Sequence, residues 1–267
     1  MTGALPERLV FVGGLHRSGT SLVHGCLAAH PDASGFSGTG VPEDEGQHLQ
    51  TVYRPDHRFG GAGIFGLRAG AHLTERSPLA SAESRDRLLA EWGPHWCPGA
   101  LVGLEKSPPN LLQSRFLQAL FPGSLFVMVV RHPAAVACAT RKGRRLLLGY
   151  HHLVRHWLAC HRILAEDAPH LERLVVVRYE HLVTDPDAAM APVFAAAGLA
   201  PVDVSGLVRG GLDERYFRAW RSNANPLLRV DRARAVRRFE VAVNRFGYSL
   251  VDLERSQPGD ALPGGSP

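Results

Sequence analysis

The chain carries a glycine-rich junction, Phe11-Val12-Gly13-Gly14-Leu15-His16-Arg17-Ser18-Gly19-Thr20-Ser21, in which an apolar strand leads directly into a helix. From Gly14 the junction has the spacing G-x-x-x-x-G-T-S of a Walker A phosphate loop, but Thr20 stands where that loop has its lysine. Successive backbone N–H groups and the N-terminus of the helix can still bind phosphate oxygens. Without the lysine the loop is poorly suited to a γ-phosphate with magnesium, and Arg17 supplies a positive charge instead. The junction therefore predicts a phosphate site.

Apolar β-branched runs and helical patterns alternate on both sides of this junction. The predicted strands are Leu9–Gly13, Leu125–Arg131 and Leu174–Arg178, with Leu101–Leu104 as a weaker fourth. The predicted helices are Thr20–Ala29, Ser84–Trp92, Asn110–Leu120, Ala134–Leu148, His152–Ala168 and Pro186–Ala197. The alternation favours parallel pairing, and we predict a three-layer α/β/α sandwich with a central parallel sheet. In such folds, ligands bind at the carboxyl ends of the strands.

The composition is ordinary for a globular protein of 267 residues, with 45% apolar and 21% charged residues. We predict one domain over residues 1–255 and a disordered tail over residues 256–267, which is rich in glycine and proline. No apolar run is long enough for a membrane span, and residues 1–10 lack the pattern of a signal peptide. The cysteines are scattered without a CxxC pair, as in proteins of a reducing compartment. The protein is either cytoplasmic or has lost a targeting segment, and we predict a cytoplasmic location.

The net charge of the chain indicates which class of ligand it could bind. The net charge is +5 with neutral histidines, which suits an anionic partner. The basic residues are mostly arginines spread along the chain, and only Arg141–Arg145 forms a cluster. Because no aromatic stacking motif accompanies that cluster, we predict that the protein does not bind nucleic acid.

Two segments together resemble the donor-binding motifs of one enzyme family. Arg17-Ser18-Gly19-Thr20-Ser21-Leu22 resembles the 5′-phosphosulfate loop, Lys/Arg-x-Gly-Thr-Thr/Ser, of the sulfotransferases that use 3′-phosphoadenosine 5′-phosphosulfate (PAPS). Phe126-Val127-Met128-Val129-Val130-Arg131-His132-Pro133 resembles their 3′-phosphate motif, a buried strand that ends in arginine. The resemblance spans roughly residues 9–199 and implies a P-loop-like fold, with PAPS as co-substrate and no metal.

The resemblance also implies a set of donor-binding residues. They are Arg17, Ser18, Gly19, Thr20, Ser21 and Arg131, and Tyr179 follows from a strand-end signature in residues 175–182. The sequence departs from the family at the serine of the 3′-phosphate motif, because Ala139 stands at that position. Thr140 could substitute for this serine if the helix register is shifted.

Sulfonate transfer by in-line displacement needs a proton acceptor and positive charge at the leaving oxygen. The acidic segment of residues 41–49 lies where family members resembling the tyrosylprotein and glycan sulfotransferases have a glutamate base. Glu45 is our first candidate for this base, followed by Glu43. His48 is a competitor, because other sulfotransferases use histidine. Lys106 lies in a Lys-Ser-Pro segment similar to one in the family and is predicted to neutralise the sulfonate or its bridging oxygen. Arg17 is the third predicted catalytic residue.

Other side chains leave alternatives open. His151, His152, His156 and His161 lack a carboxylate or cysteine at ligand spacing, and the HExxH pattern is absent, so we predict no metal site there. Aromatic residues between positions 50 and 96 could line an apolar acceptor pocket or belong to the core: Tyr53, Phe59, Phe65, Trp92 and Trp96. Arg221 has no motif behind it and is left out of the site.

We therefore predict transfer of a sulfonate group from PAPS to a hydroxyl of a small-molecule or glycan acceptor. A P-loop nucleotide kinase is the alternative within the enzymes, and the missing lysine argues against it. A nucleotide-binding protein that has lost catalysis is the alternative of another class, which Ala139 keeps open. The sequence specifies neither the acceptor nor the oligomeric state.

Overall fold

The computed structural model of the chain describes residues 5–143, 148–257 and 259–262. Its centre is a sheet of five parallel strands in the order β2-β3-β1-β4-β5. The strands are β1 Arg8–Gly14, β2 Ala33–Gly35, β3 Val102–Lys106, β4 Leu125–Val130 and β5 Leu174–Arg178. The parallel sheet and the predicted strands are confirmed, and β2 is an addition.

The helices flank this sheet on both faces. They are α1 Thr20–Ala28, α2 Ala82–Trp92, α3 Ser114–Leu120, α4 Pro133–Gly143, α5 Tyr150–Asp167, α6 Tyr179–Thr184, α7 Pro186–Ala197, α8 Leu212–Arg221 and α9 Pro226–Asn244. One core lies between the sheet and α1, α6 and α7. The other lies between the opposite face and α2, α3, α4, α5 and α9. The predicted three-layer sandwich is therefore confirmed.

Strand side chains alternate between these two cores. Phe11 and Phe126 stack with ring centroids 5.6 Å apart on the α5 side. Val10 and Val12 point to the α1 side. All six residues of β4 are buried, which explains why the strand reads as a continuous apolar run rather than an alternating one.

Two predicted helices differ from the structure by more than two residues at one end. The predicted helix Asn110–Leu120 divides into a 3₁₀ turn, Pro108–Leu112, and α3. The Asn110 side chain holds the turn against β1, because its Nδ2 donates to the Val12 carbonyl at 3.1 Å. The predicted helix Ala134–Leu148 is observed as α4 up to Gly143, and residues 144–147, with two arginines of the basic cluster, lie outside the described residues.

The described part of residues 256–267 packs on the domain. The Ala261 amide donates to the Arg245 carbonyl at 3.1 Å, Leu262 is buried, and Ser256 forms a β-bridge with Tyr248. The domain boundary at residue 255 stays a prediction. Within the described ranges, every helix is too short or too polar to cross a membrane.

Candidate active site

A cleft of about 480 Å³ opens at the carboxyl ends of the strands. It lies where β1 is followed by α1 on one face of the sheet and its neighbour β4 is followed by α4 on the other. Such a switch point leaves a crevice in open α/β sheets. The lining residues are His16, Arg17, Gly19, Thr20, Ser21, Leu22, Glu43, Glu45, Pro108, Arg131, Ala139, Tyr179, Leu207, Arg209, Arg215 and Tyr216. Four of these are arginines, which gives the cleft an excess of positive charge.

The glycine-rich loop joins β1 to α1 through residues with positive φ. Gly19 precedes α1 with φ 106°, and a Cβ atom there would lie 2.6 Å from the Tyr179 ring. Arg17 also has a positive φ, 69°, and its side chain is exposed at the cleft. Ser18 is buried, and its Oγ is without a hydrogen-bond partner. Gly19, Thr20 and Ser21 line the cleft, so the N-terminus of α1 lies there, as an anion site at a helix N-terminus requires.

Arg131 lies beside this loop at the end of β4. Its guanidinium group stacks on Tyr179, 3.9 Å from the ring centroid, and its Nη1 donates to the Arg17 carbonyl at 2.8 Å. Its Nε donates to Asp213 Oδ1 at 2.9 Å, and Nη2 contacts the same oxygen. The structure therefore brings together Arg131, Tyr179 and the loop, as predicted, and adds a carboxylate from α8 that the sequence did not indicate.

The helix after Arg131 presents Ala139 to the cleft. Thr140 is buried and instead lines a small cavity behind the loop, together with His16 and His156. The register shift that would bring Thr140 toward the cleft is not seen, because α4 continues without interruption through both residues. This placement does not favour Thr140 as a replacement for the serine.

Glu45 lines the cleft, and Lys106, which is buried and not among the lining residues, contacts Glu45. Lys106 Nζ lies 3.2 Å from Glu45 Oε1 and donates to the Glu43 carbonyl at 2.8 Å. Glu45 Oε2 accepts from Gln47 Nε2 at 2.6 Å, so both carboxylate oxygens are held. Both charged side chains are almost completely buried. A buried pair with further hydrogen bonds fixes the geometry of its members.

A second carboxyl group, Glu105, supports the segment that carries Glu45. Its Oε1 accepts from Ser107 Oγ at 2.6 Å, and that hydroxyl in turn accepts from the Gln47 amide at 2.9 Å. Its Oε2 accepts from Asn110 Nδ2 at 2.5 Å. Burial raises the pKa of Glu105 to about 7, against the opposing effect of these hydrogen bonds. Sequence analysis missed Glu105, although its position next to Lys106 was a signal.

The three candidate bases have different positions. Glu45 and Glu43 line the cleft, and Glu43 is exposed with a positive φ of 54°. His48 Nε2 lies 3.8 Å from Glu45 Oε2, but His48 is not among the lining residues. Burial lowers the pKa of His48 more strongly than the neighbouring Glu45 raises it. Position thus favours a carboxylate over His48.

Residues after position 205 complete the cleft, and sequence analysis missed them. Arg209, Arg215 and Tyr216 line it, with Tyr216 also above the Arg131 guanidinium at 5.5 Å from the ring centroid. The signal available was a pair of arginines around the flexible Gly210-Gly211 step. Arg221 is exposed and pairs with Glu254 at 3.2 Å, away from the cleft.

The aromatic and histidine clusters belong to the core. Tyr53, Phe65, Trp92 and Trp96 are buried in the α5-side core, and Phe59 packs against it. The histidines of α5 have separate partners: His152 contacts the Gly63 carbonyl, His156 accepts from the Gly66 amide, and His161 stacks on Trp157. The alternative of an acceptor pocket made by these aromatic residues is therefore wrong.

Known proteins with similar sequence or structure agree with this architecture. A model of the sulfotransferase family matches residues 9–203. Protein-tyrosine sulfotransferase 2 of Gallus gallus is 24% identical over 200 residues, which cover 72% of this chain and 51% of that protein. The chain thus spans about half the length of this curated relative.

Solved structures of sulfotransferases share the fold, among them the following two. The sulfotransferase domain of the Synechococcus PCC 7002 olefin synthase has a TM-score of 0.51 and 19% identity, with 88% of this chain and 95% of that chain covered. Sulfotransferase STF1 from Mycobacterium tuberculosis H37Rv has a TM-score of 0.50 and 18% identity, with 75% of this chain and 70% of that chain covered.

Proposed function

The chain belongs to the sulfotransferase family, and on this premise we propose that it transfers a sulfonate group from PAPS to an acceptor hydroxyl. One observation carries the proposal: a phosphate loop, a strand-end arginine and Glu45 line a single cleft, and buried Lys106 contacts the Glu45 carboxylate at 3.2 Å. The loop and Arg131 form an anion site, and the pair supplies a base and a positive charge. A binding protein without catalysis would need the anion site but not the glutamate–lysine pair.

The residues of the cleft fit the donor. The N-terminus of α1, whose residues line the cleft, and Arg17 suit the 5′-phosphosulfate, and the unpartnered Oγ of Ser18 lies within the same loop. Arg131 suits the 3′-phosphate, because its fork of donors matches phosphate oxygens. Since Ala139 offers no hydroxyl, we assign the remaining positive charge for that phosphate to Arg209 and Arg215.

The transfer reaction depends on the pair of Glu45 and Lys106. The acceptor oxygen attacks the sulfur, the bond from sulfur to the bridging phosphate oxygen breaks, and its electrons leave with adenosine 3′,5′-bisphosphate. Glu45 takes the proton of the acceptor hydroxyl, and Lys106 faces the negative charge that develops at the bridging oxygen. Gln47 keeps the Glu45 carboxylate in one orientation.

The acceptor must reach Glu45 within the cleft, whose lining also includes Pro108, Glu43 and Leu22. The name of the Gallus gallus relative points to protein tyrosine, and a small molecule or a glycan remains the wider class. An acceptor panel should therefore contain a tyrosine peptide, a weakly acidic phenol, an aliphatic alcohol and a sugar.

Donor preference tests the proposal directly. We expect calorimetry to show tighter binding of PAPS and adenosine 3′,5′-bisphosphate than of ATP with magnesium, because the loop lacks the lysine that grips a γ-phosphate. Labelled PAPS should then transfer its sulfonate to at least one acceptor of the panel. Tighter binding of ATP with magnesium would sink the donor assignment, and PAPS binding without any transfer would favour the binding-only alternative.

The role of Arg131 is tested by Arg131→Ala, with the surface variant Arg221→Ala as its matched control. Loss of the guanidinium should weaken binding of adenosine 3′,5′-bisphosphate by about 1.5–3 kcal/mol, the scale of hydrogen bonds to a charged group. Arg221→Ala should leave the affinity unchanged, because Arg221 lies outside the cleft. Equal affinities of the two variants would remove Arg131 from the site.

A further inference from the structure

Three side chains of metal-ligand type lie together beside the catalytic cleft. One ligand atom each from His48, Asp56 and His57 falls within 4.8 Å of the other two. His48 ends the 3₁₀ turn Gly46–His48, and Asp56 and His57 begin the 3₁₀ turn Asp56–Phe59. The two imidazole rings lie 5.5 Å apart between centroids at an angle of 30°. Two separate turns thus direct two imidazoles and one carboxylate to one point.

The carboxylate of this cluster is held in place from behind. Asp56 is buried, its amide donates to Gln47 Oε1 at 2.8 Å, and its Oδ2 lies 3.1 Å from His16 Nε2. Carboxylates that bind metals are themselves hydrogen-bonded by outer groups, which fix their orientation. His57 is exposed and His48 is half-buried, so an ion can enter from solvent.

We propose that His48, Asp56 and His57 bind a divalent transition-metal ion, with Zn²⁺ as the best match and solvent completing the coordination. Two imidazole nitrogens and one carboxylate oxygen suit Zn²⁺ and its neighbours, whereas Mg²⁺ and Ca²⁺ prefer oxygen ligands alone. At Zn²⁺ bond lengths of about 2.0–2.2 Å, tetrahedral ligand atoms stand roughly 3.4 Å apart. Binding therefore requires the cluster to contract, which the exposed turn carrying His57 permits.

The bound ion would inhibit sulfonate transfer rather than act as a cofactor. His48 Nε2 lies 3.8 Å from Glu45 Oε2, so an ion on His48 is close enough to attract that carboxylate. The ion then competes with the acceptor proton for Glu45 and disturbs its pairing with Lys106. This consequence rests on the proposed function, whereas binding of the ion does not.

Cobalt spectroscopy tests the binding site. The protein is prepared without a histidine tag, stripped with a chelator and carries Cys97→Ser, because the exposed thiol of Cys97 could bind the probe. Titration with Co²⁺ should give one equivalent of an ion with the strong visible absorption of four- or five-fold coordination. His57→Ala should weaken this binding by at least about tenfold, since a ligand is lost.

His170→Ala is the matched control, because His170 is also exposed and also lies in a 3₁₀ turn, Ala168–His170. It should bind Co²⁺ like the parent protein. Only the weak absorption of hexaaqua Co²⁺ in the parent protein, or equal affinity in His57→Ala, would overturn the site.

Sulfonate transfer tests the inhibition separately. Zn²⁺ should slow transfer by the parent protein, a chelator should restore it, and His57→Ala should keep the basal rate but resist Zn²⁺. A rate that is insensitive to Zn²⁺ at concentrations that saturate the spectroscopic site would overturn inhibition. If no acceptor is turned over, the proposed function fails, and the cobalt titration still decides the site.

Discussion

Glu45 is the residue on which the proposed chemistry depends most. Converting it to glutamine keeps its shape but removes the proton acceptor, so turnover should fall by roughly 10²–10⁴-fold, the usual contribution of a general base. The affinity for adenosine 3′,5′-bisphosphate should change little, because Glu45 faces Lys106 rather than the phosphate loop. Steady-state rates with a weakly acidic phenol or an aliphatic alcohol measure the effect, since a strongly acidic phenol needs less help.

Glu43→Gln is the control for this experiment. Glu43 also lines the cleft, but only its carbonyl contacts Lys106, so this variant should retain most of its activity. If Glu45→Gln stays active while Glu43→Gln or His48→Ala does not, the base has been assigned to the wrong residue. The donor site would be unaffected by that result.

Single residues also show what sequence could predict of the site. Arg17, Arg131 and Glu45 line the cleft, and their roles stay predictions. The spacings of a phosphate loop and a strand-end arginine indicated Arg17 and Arg131, whereas Glu45 was predicted from the family resemblance of its segment. Thr140 was predicted only for a shifted helix register, and the structure keeps the unshifted one, with Ala139 at the cleft. Asp213 has no motif, and its contact with Arg131 depends on a chain reversal that only the folded structure reveals.

Helix α8 carries a carboxylate that competes with the proposed ligand for Arg131. Its Asp213 pairs with Arg131, which is assigned to the 3′-phosphate. The carboxylate must release the guanidinium when the phosphate binds, so Asp213→Asn should raise the affinity for adenosine 3′,5′-bisphosphate by roughly tenfold, or about 1.4 kcal/mol. Calorimetry at fixed ionic strength measures this change.

Glu214→Gln is the matched variant for α8, because Glu214 is exposed and pairs only with Arg218 on the same helix. Its effect on nucleotide affinity should be small, since exposed pairs contribute little and are screened by salt. Weaker binding in Asp213→Asn would show instead that the carboxylate positions Arg131 for the phosphate.

The strands and helices that the sequence predicted are those that bury a continuous apolar face. Strand β4 and helices α1 and α7 have such faces and were found. Strand β2 was missed because Ala33-Ser34-Gly35 has no strand pattern and becomes extended only through pairing with β3. Helix α9 was missed because it is rich in arginine and fully buries only Ala235 and Val243, while its packing on α5 supplies the remaining stability.

The whole molecule should be sensitive to acid because it buries neutral histidines. Burial lowers the pKa of His132 and His156 to about 3 and that of His161 to about 4. Below about pH 6.5 the unfolded chain binds protons at these positions and the folded chain does not. The free energy of unfolding therefore decreases as the pH is lowered. Each group can contribute up to about 1.4 kcal/mol per pH unit, lost progressively between pH 6.5 and pH 4.

Urea unfolding between pH 7 and pH 5 measures this dependence. His161→Gln should reduce the slope, because it removes one of the buried titrating rings, whereas the exposed His181→Gln should leave the slope unchanged. A free energy of unfolding that is constant over this range would show that the buried rings do not control acid stability.

The position of β1 in the middle of the sheet has a consequence for the order of folding during synthesis. Arg8 pairs with Val102 and Val10 with Leu125, so β1, which precedes the other strands of the sheet in sequence, has no neighbour until β3 has been made and lacks its second neighbour until β4 has been made. Such distant pairing slows folding, because a long loop must close before any contact stabilises it. Gly14 is aligned with Val129, and the phosphate loop therefore takes its shape only after β4 arrives. Until then, the apolar segment Val10–Val12 is a target for chaperones and for pairing with other chains.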